Sequence, residues 1–147
     1  FALYFIPVKN LKSILLLGVG AGLGFQISED FSYILSDMQE GFSFAISGVL
    51  GSTFGSIASH WLYTGLTAFG IILMLHYRKN HTTTFRTGLF YFLAAFILHF
   101  LWNSPLSAIE TEVPLVKPIL SALAIFIFFQ AYQTASRLDD ETLNLTA

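Results

Sequence analysis

Glu29, Asp30, His60 and His99 are ionisable side chains set well inside long apolar stretches. Such groups are costly in hydrocarbon, and they tend to mark function. Two imidazoles and a carboxylate make a donor set for zinc, because His2Glu with an open fourth position is a hydrolytic arrangement. A metal held by Glu29, His60 and His99 would bring the pKa of a bound water toward about 7 and polarise a scissile carbonyl. Asn103 could orient a ligand or help stabilise an oxyanion. The same groups could instead knit helices together by hydrogen bonds or line an ion pathway, and residue type alone leaves those readings open.

Spacing groups them further. Glu29 is followed one turn later by Tyr33, His60 by Thr64 and then Thr67, and His99 by Asn103. An i, i+4 interval puts each pair on a single helix face. Gly18 and Gly22 share the face of Glu29, and Gly20 with Gly24 forms a second small-xxx-small pair. Both pairs are expected to let a neighbouring helix pack closely. Asp30 points about 100° away from Glu29, where it is protonated, hydrogen-bonded or close to the outer interface.

Composition says what must carry these residues. The chain has 147 residues, 54% of them hydrophobic and 11% charged, against about 25% charged in a typical soluble domain. Its 16 Phe fall largely in long apolar runs, more apolar surface than a water-soluble chain of this length could hide. The sequence therefore reads as an all-α integral membrane protein. Formal net charge is −2 with no basic stripe, which argues against nucleic acid as a partner. Cys is absent, excluding disulfides and thiolate metal sites.

Four spans follow from the rule that about 20 mostly apolar residues cross a bilayer core: Leu11 to Ile34, Phe54 to Leu75, Thr87 to Asn103, and Val116 to Ala135. Pro118 falls in the first turn of the last, where it is tolerated. Residues 41–53 extend the second span into an uncharged run of about 37 residues, about 55 Å as helix and too long for one crossing. Gly48 and Gly51 suggest a break there, with a short re-entrant or interfacial segment before the true span. No repeat or linker divides residues 1–147, so one polytopic helical bundle is expected, ending in a polar tail at 136–147.

Lys9, Lys12, Arg78, Lys79, Arg86 and Arg137 flank the spans on one side, while SDMQEG and SAIETEVP on the other are acidic, with Lys117 the exception. The positive-inside rule puts the basic loops and the C-terminal tail in the cytoplasm. His76 and His81 then read as interfacial. Counted from the cytoplasmic ends, Glu29 lies about 25 Å up, His60 about 27 Å and His99 about 20 Å. Three helices thus bring their polar groups to one layer, nearer the outer face.

GAGLGFQISEDFSYI, SHWLYTGLTAFG and ILHFLWNSP, in that order, resemble the PrsW family of intramembrane proteases, which is related to the CAAX-protease/bacteriocin-processing (ABI) superfamily. That family typically shows a GxGF run leading into E-N-x-x-Y, a helix with H-x-x-x-T/G, and a later helix with His and often Asn. Here these are Glu29-Asp30-Phe31-Ser32-Tyr33 with Asp30 in place of Asn, His60 to Gly65, and His99 to Asn103. The resemblance covers about two-thirds of the chain and implies a zinc-dependent protease in the cell membrane. Its substrates would be membrane-bound or membrane-proximal proteins, such as an anti-sigma-factor-like protein. It makes Glu29, His60 and His99 the metal ligands and Asn103 an assisting group. Two departures stand out. The family's leading E-E-x-x-K, expected to supply the water-activating carboxylate, does not occur in these residues, and residues 41–59 lack the Arg often found before H-x-x-x-T. FALYFIPV reads as the tail of an apolar helix, so a fragment beginning just after E-E-x-x-K is expected, inactive by itself. The alternatives are a catalytically inactive relative, or a non-enzymatic polytopic carrier or assembly subunit whose His/Glu layer binds an ion or packs helices.

Overall fold

A computed structural model describes residues 10–55, 60–76, 82–105 and 115–144, all gathered into helices and their caps. The helices are α1 (Leu11–Glu40), α2 (Phe42–Gly55), α3 (His60–His76), α4 (Thr82–Trp102) and α5 (Val116–Asn144). The opening FALYFIPV, His81, and Glu110 with Glu112 lie outside the described residues.

The ends of α1 are set locally. Asn10 is extended (φ −148°, ψ 158°) and its side chain accepts from the Ser13 N–H at 2.7 Å, an N-cap of the preferred kind. At the other end Gly41 has φ +140°, a region that glycine enters without steric cost, and its N–H donates to Asp37 O at 3.1 Å. The chain turns there and α2 begins at once, with the N–H groups of Phe44 and Ala45 donating to Gly41 O. Gly41 thus opens the long uncharged run with a turn out of α1, and α2 continues through Gly48 and Gly51 to Gly55, with α3 beginning at His60. Glycine inside a helix costs only about 1 kcal/mol, whereas the positive φ at 41 demands it. With 14 residues α2 is about 21 Å long, short of a bilayer core, and it packs against α1.

Among the described residues three helices are long and apolar enough to cross a membrane: Leu11–Glu40, Thr84–Trp102 and Val116–Asp140. The fourth expected span appears as α3, a shorter apolar helix; Phe54, its expected start, belongs to α2, and residues 56–59 are outside the described set. α3 is nevertheless the centre of the bundle. It packs most extensively on α1 and α4, and α5 touches all three.

The α1–α3 crossing is antiparallel and close. A Cβ on Gly18 would lie 2.9 Å from Gly65 Cα and Thr64 O, and one on Gly22 would lie 2.5 Å from His60 O and 2.6 Å from Trp61 Cα. Among the described residues nothing lies within 4 Å of a Cβ on Gly20 or Gly24. The second small-residue pair thus makes no crossing, because it faces outward where the neighbour does not run. Gly70 and Gly88 do the same work between α3 and α4, each standing where a Cβ would fall 2.7 Å from the other's carbonyl oxygen.

Leu15, Leu62, Leu66, Phe69 and Leu73 are fully buried between these helices, and α5 meets them through Ala124, Ala131 and Ala135. The outward faces are as apolar as the core: Phe31, Phe96, Phe100 and Phe126 are all largely exposed. Such faces suit hydrocarbon, and the helices satisfy their own backbone groups as hydrocarbon requires. The chain is an integral membrane protein.

α5 runs nine residues past its expected end, through RLDDETLN. Asp139 there is buried (7% exposed) and reaches the start of α1, its Oδ1 accepting from the Leu11 N–H at 2.7 Å and its Oδ2 from the Lys12 N–H at 3.1 Å. Lys12 Nζ in turn donates to Ser136 Oγ at 3.4 Å. The sequence stretch that looked like a polar tail is a helix terminus tied to the first span.

Candidate functional site

The Gly22 crossing brings the α1 backbone against the first residue of α3, and one and a half to two turns further along α1 stands Glu29. Its Oε2 is 2.9 Å from His60 Nε2. Both side chains are only partly exposed, 31% for Glu29 and 20% for His60. The antiparallel packing of α3 on α4 then sets His60 against His99, ring centroids 5.0 Å apart and planes at 89°. Glu29, His60 and His99, from three helices, therefore meet at one level of the bundle. One turn before Glu29, α1 adds Phe25, whose ring meets the His60 ring edge-on at 4.9 Å.

Other expected residues fall elsewhere. α4 ends at Trp102, and Asn103 lies in the closing turn with its N–H donating to His99 O at 3.1 Å. Ser104 closes that turn by donating to Leu101 O from both its N–H and its Oγ, and Pro105 follows. The Asn103 N–H bond to His99 O keeps Asn103 one turn beyond His99, and its side chain is exposed. Tyr33 is also exposed, at 58%, while Thr64 and Thr67 are half-buried. Asp30 takes the hydrogen-bonded option: Gln26 Nε2 donates to its Oδ1 at 2.8 Å, and Gln26 itself is buried.

Two residues were not among the expected ones. Gln26 is an i−4 partner of Asp30, a spacing readable in QISED once the helix is known to continue. Tyr63 stacks on His99, centroids 5.2 Å apart and planes within 15°. It follows His60 by three residues and so shares its face, a signal hidden among the many aromatic residues of the apolar runs.

The family whose pattern matches this chain is described as PrsW family intramembrane metalloprotease, and the match covers residues 8–132. The chain belongs to the PrsW family. No curated protein and no solved structure matches it. The PrsW match takes in Glu29, His60, His99 and Asn103, and it implies a metal.

The donor chemistry of the layer fits a metal, since two imidazoles and a carboxylate are ligands of the right kind from three separate helices. In the arrangement described, Glu29 and His60 satisfy one another directly and His99 joins them through its ring. Among the described residues no group of three or more His, Cys, Asp or Glu stands in position to hold a metal ion.

Proposed function

We propose that this chain carries the metal site of an intramembrane protease, with Glu29, His60 and His99 as ligands of a zinc ion and Asn103 as an assisting group. The observation that carries the reading is the meeting of these three side chains, from α1, α3 and α4, in a chain matching the PrsW family over residues 8–132. Zinc there would supply Lewis-acid polarisation of the scissile carbonyl and an acidified water. The chain's own groups prepare that role. Glu29 Oε2 and His60 Nε2 already face each other at 2.9 Å, and a cation held by those atoms would take the place of their direct contact. Phe25 and His99 flank the His60 ring, each meeting it edge-on, and leave its side chain 20% exposed.

The substrates in this reading are membrane-anchored or membrane-proximal proteins, an anti-sigma-factor-like protein among them. Lys12 packs beside Ser136 and Asp139, and Arg137 lies between those two, so basic residues from the two ends of the chain share one end of the bundle. With the positive-inside rule, this supports a cytoplasmic basic end in the cell membrane and a site nearer the outer face.

The direct Glu29–His60 contact favours a second reading, in which the layer is a helix-knitting network of an inactive or non-enzymatic protein. Cleavage of membrane-anchored peptides by the full-length protein in vesicles separates the two. The protease reading expects cleavage that stops with chelator and returns with zinc, and that is lost in Glu29→Gln, His60→Ala and His99→Ala. Cleavage unaffected by chelator, or retained in all three variants, contradicts it.

A further inference from the structure

His99 is gripped by a single turn of α3. His60 meets its ring edge-on at 5.0 Å, and Tyr63 lies nearly parallel to it at 5.2 Å, with planes within 15°. His60 and Tyr63 are three residues apart and present one face to α4. Tyr63 is itself locked in place: it is 4% exposed and belongs to the same packed cluster as Leu62, Leu66 and Leu98. Its hydroxyl is fully buried with no hydrogen-bond partner among the described residues.

That orphan hydroxyl separates what the ring does from what the phenol does. A buried polar atom left unpaired is a cost to the fold, and phenylalanine would fill the same space without it. The stacking surface is the part of Tyr63 that makes a contact at the site. An imidazole in a helical bundle can rotate about χ2, where the preference is broad, and a ring stacked flat against it restrains that torsion. From these contacts we infer that Tyr63 is a positioning residue, whose ring fixes the plane of the His99 imidazole so that its nitrogens face the layer shared with His60 and Glu29.

The activity part of this inference rests on the protease reading above, but the orientation of His99 does not, and the test uses both. Full-length wild type is compared with Tyr63→Phe, which keeps the ring and drops the hydroxyl. Tyr63→Met keeps most of the volume in a flexible chain. The His99 side-chain resonance, assigned with His99→Asn in protein labelled at histidine, is expected to stay single and sharp in wild type and Tyr63→Phe. In Tyr63→Met it is expected to broaden or split. Zinc affinity and kcat are expected to be unchanged in Tyr63→Phe and to fall by about 10–100-fold in Tyr63→Met, the range for residues that orient a metal ligand, with KM little altered. Tyr63→Leu serves in the same comparison if Tyr63→Met does not fold.

A His99 resonance in Tyr63→Met as sharp as in wild type overturns the inference. So does a loss in Tyr63→Phe equal to that in Tyr63→Met, which would assign the role to the hydroxyl. If wild type neither binds zinc nor cleaves, the protease reading fails, and the resonance alone still decides whether Tyr63 positions His99.

Discussion

Glu29 Oε2 and His60 Nε2 stand 2.9 Å apart, and the backbone of His60 is the surface that Gly22 makes room for seven residues earlier on α1. The contact between the two side chains and the crossing of their helices are one arrangement. Because the partners touch directly, their substitutions should not be additive. A double-mutant cycle of Glu29→Gln and His60→Ala, read by unfolding in detergent, is expected to show a coupling of about 0.5–3 kcal/mol. The same cycle with Asp30→Asn in place of Glu29→Gln is expected to be additive.

Gly22→Leu is expected to lose about 1–3 kcal/mol of stability through overpacking against the backbone of His60 and Trp61, which cannot rotate away as a side chain would. Gly24→Ala, on the open side of the same helix, is expected to be neutral or to gain up to about 1 kcal/mol. Thermal unfolding of the two variants checks the pair, and a destabilised Gly24→Ala would place a neighbour where none is described.

The adjacent carboxylates should part company functionally. Asp30 receives its hydrogen bond from Gln26, and asparagine retains an oxygen to accept it, so Asp30→Asn is expected to keep cleavage close to wild type. Glu29→Gln is expected to reduce it by about 100-fold or more. A cleavage assay showing the reverse order would move the site to the other face of α1.

Asp139→Ala removes the acceptor for two backbone N–H groups at the start of α1 and is expected to cost about 1–3 kcal/mol. Asp139→Asn, which keeps one oxygen, should cost less. Asp140→Ala at the exposed neighbouring position should stay within about 0.5 kcal/mol of wild type. Unfolding midpoints of the three variants are the measurement.

These residues also mark what could be read before any coordinates. Apolar runs of bilayer length are a strong signal, so α1, α4 and α5 cover three of the expected spans, while the span expected from Phe54 appears as the shorter α3. Glu29, His60 and His99 could be set level because a straight helix rises by a constant step, and depth along it is a count. What could not be counted was azimuth. Gly18, Gly20, Gly22 and Gly24 are alike in sequence, and only the path of α3 makes Gly18 and Gly22 the crossing pair and leaves Gly20 and Gly24 in the open. Helix ends were similarly hidden. Asp139 lies in a polar stretch with no hydrophobic period, and its helix is held by a partner 128 residues away. The third span was expected to end at Asn103, and α4 ends one residue earlier, at Trp102, with Asn103 in the closing turn. Tyr63 was hidden for the opposite reason, being one more aromatic residue in a run full of them.

The central claim is that Glu29, His60 and His99 are ligands of one zinc ion. Zinc content of the purified full-length protein, measured by elemental analysis beside protein concentration, tests it most directly. About one zinc per chain is expected in wild type and in Asp30→Asn, as for a site with three protein ligands, and far less in Glu29→Gln, His60→Ala and His99→Ala. Wild-type protein without zinc, or a full complement of zinc retained in all three variants, would contradict it.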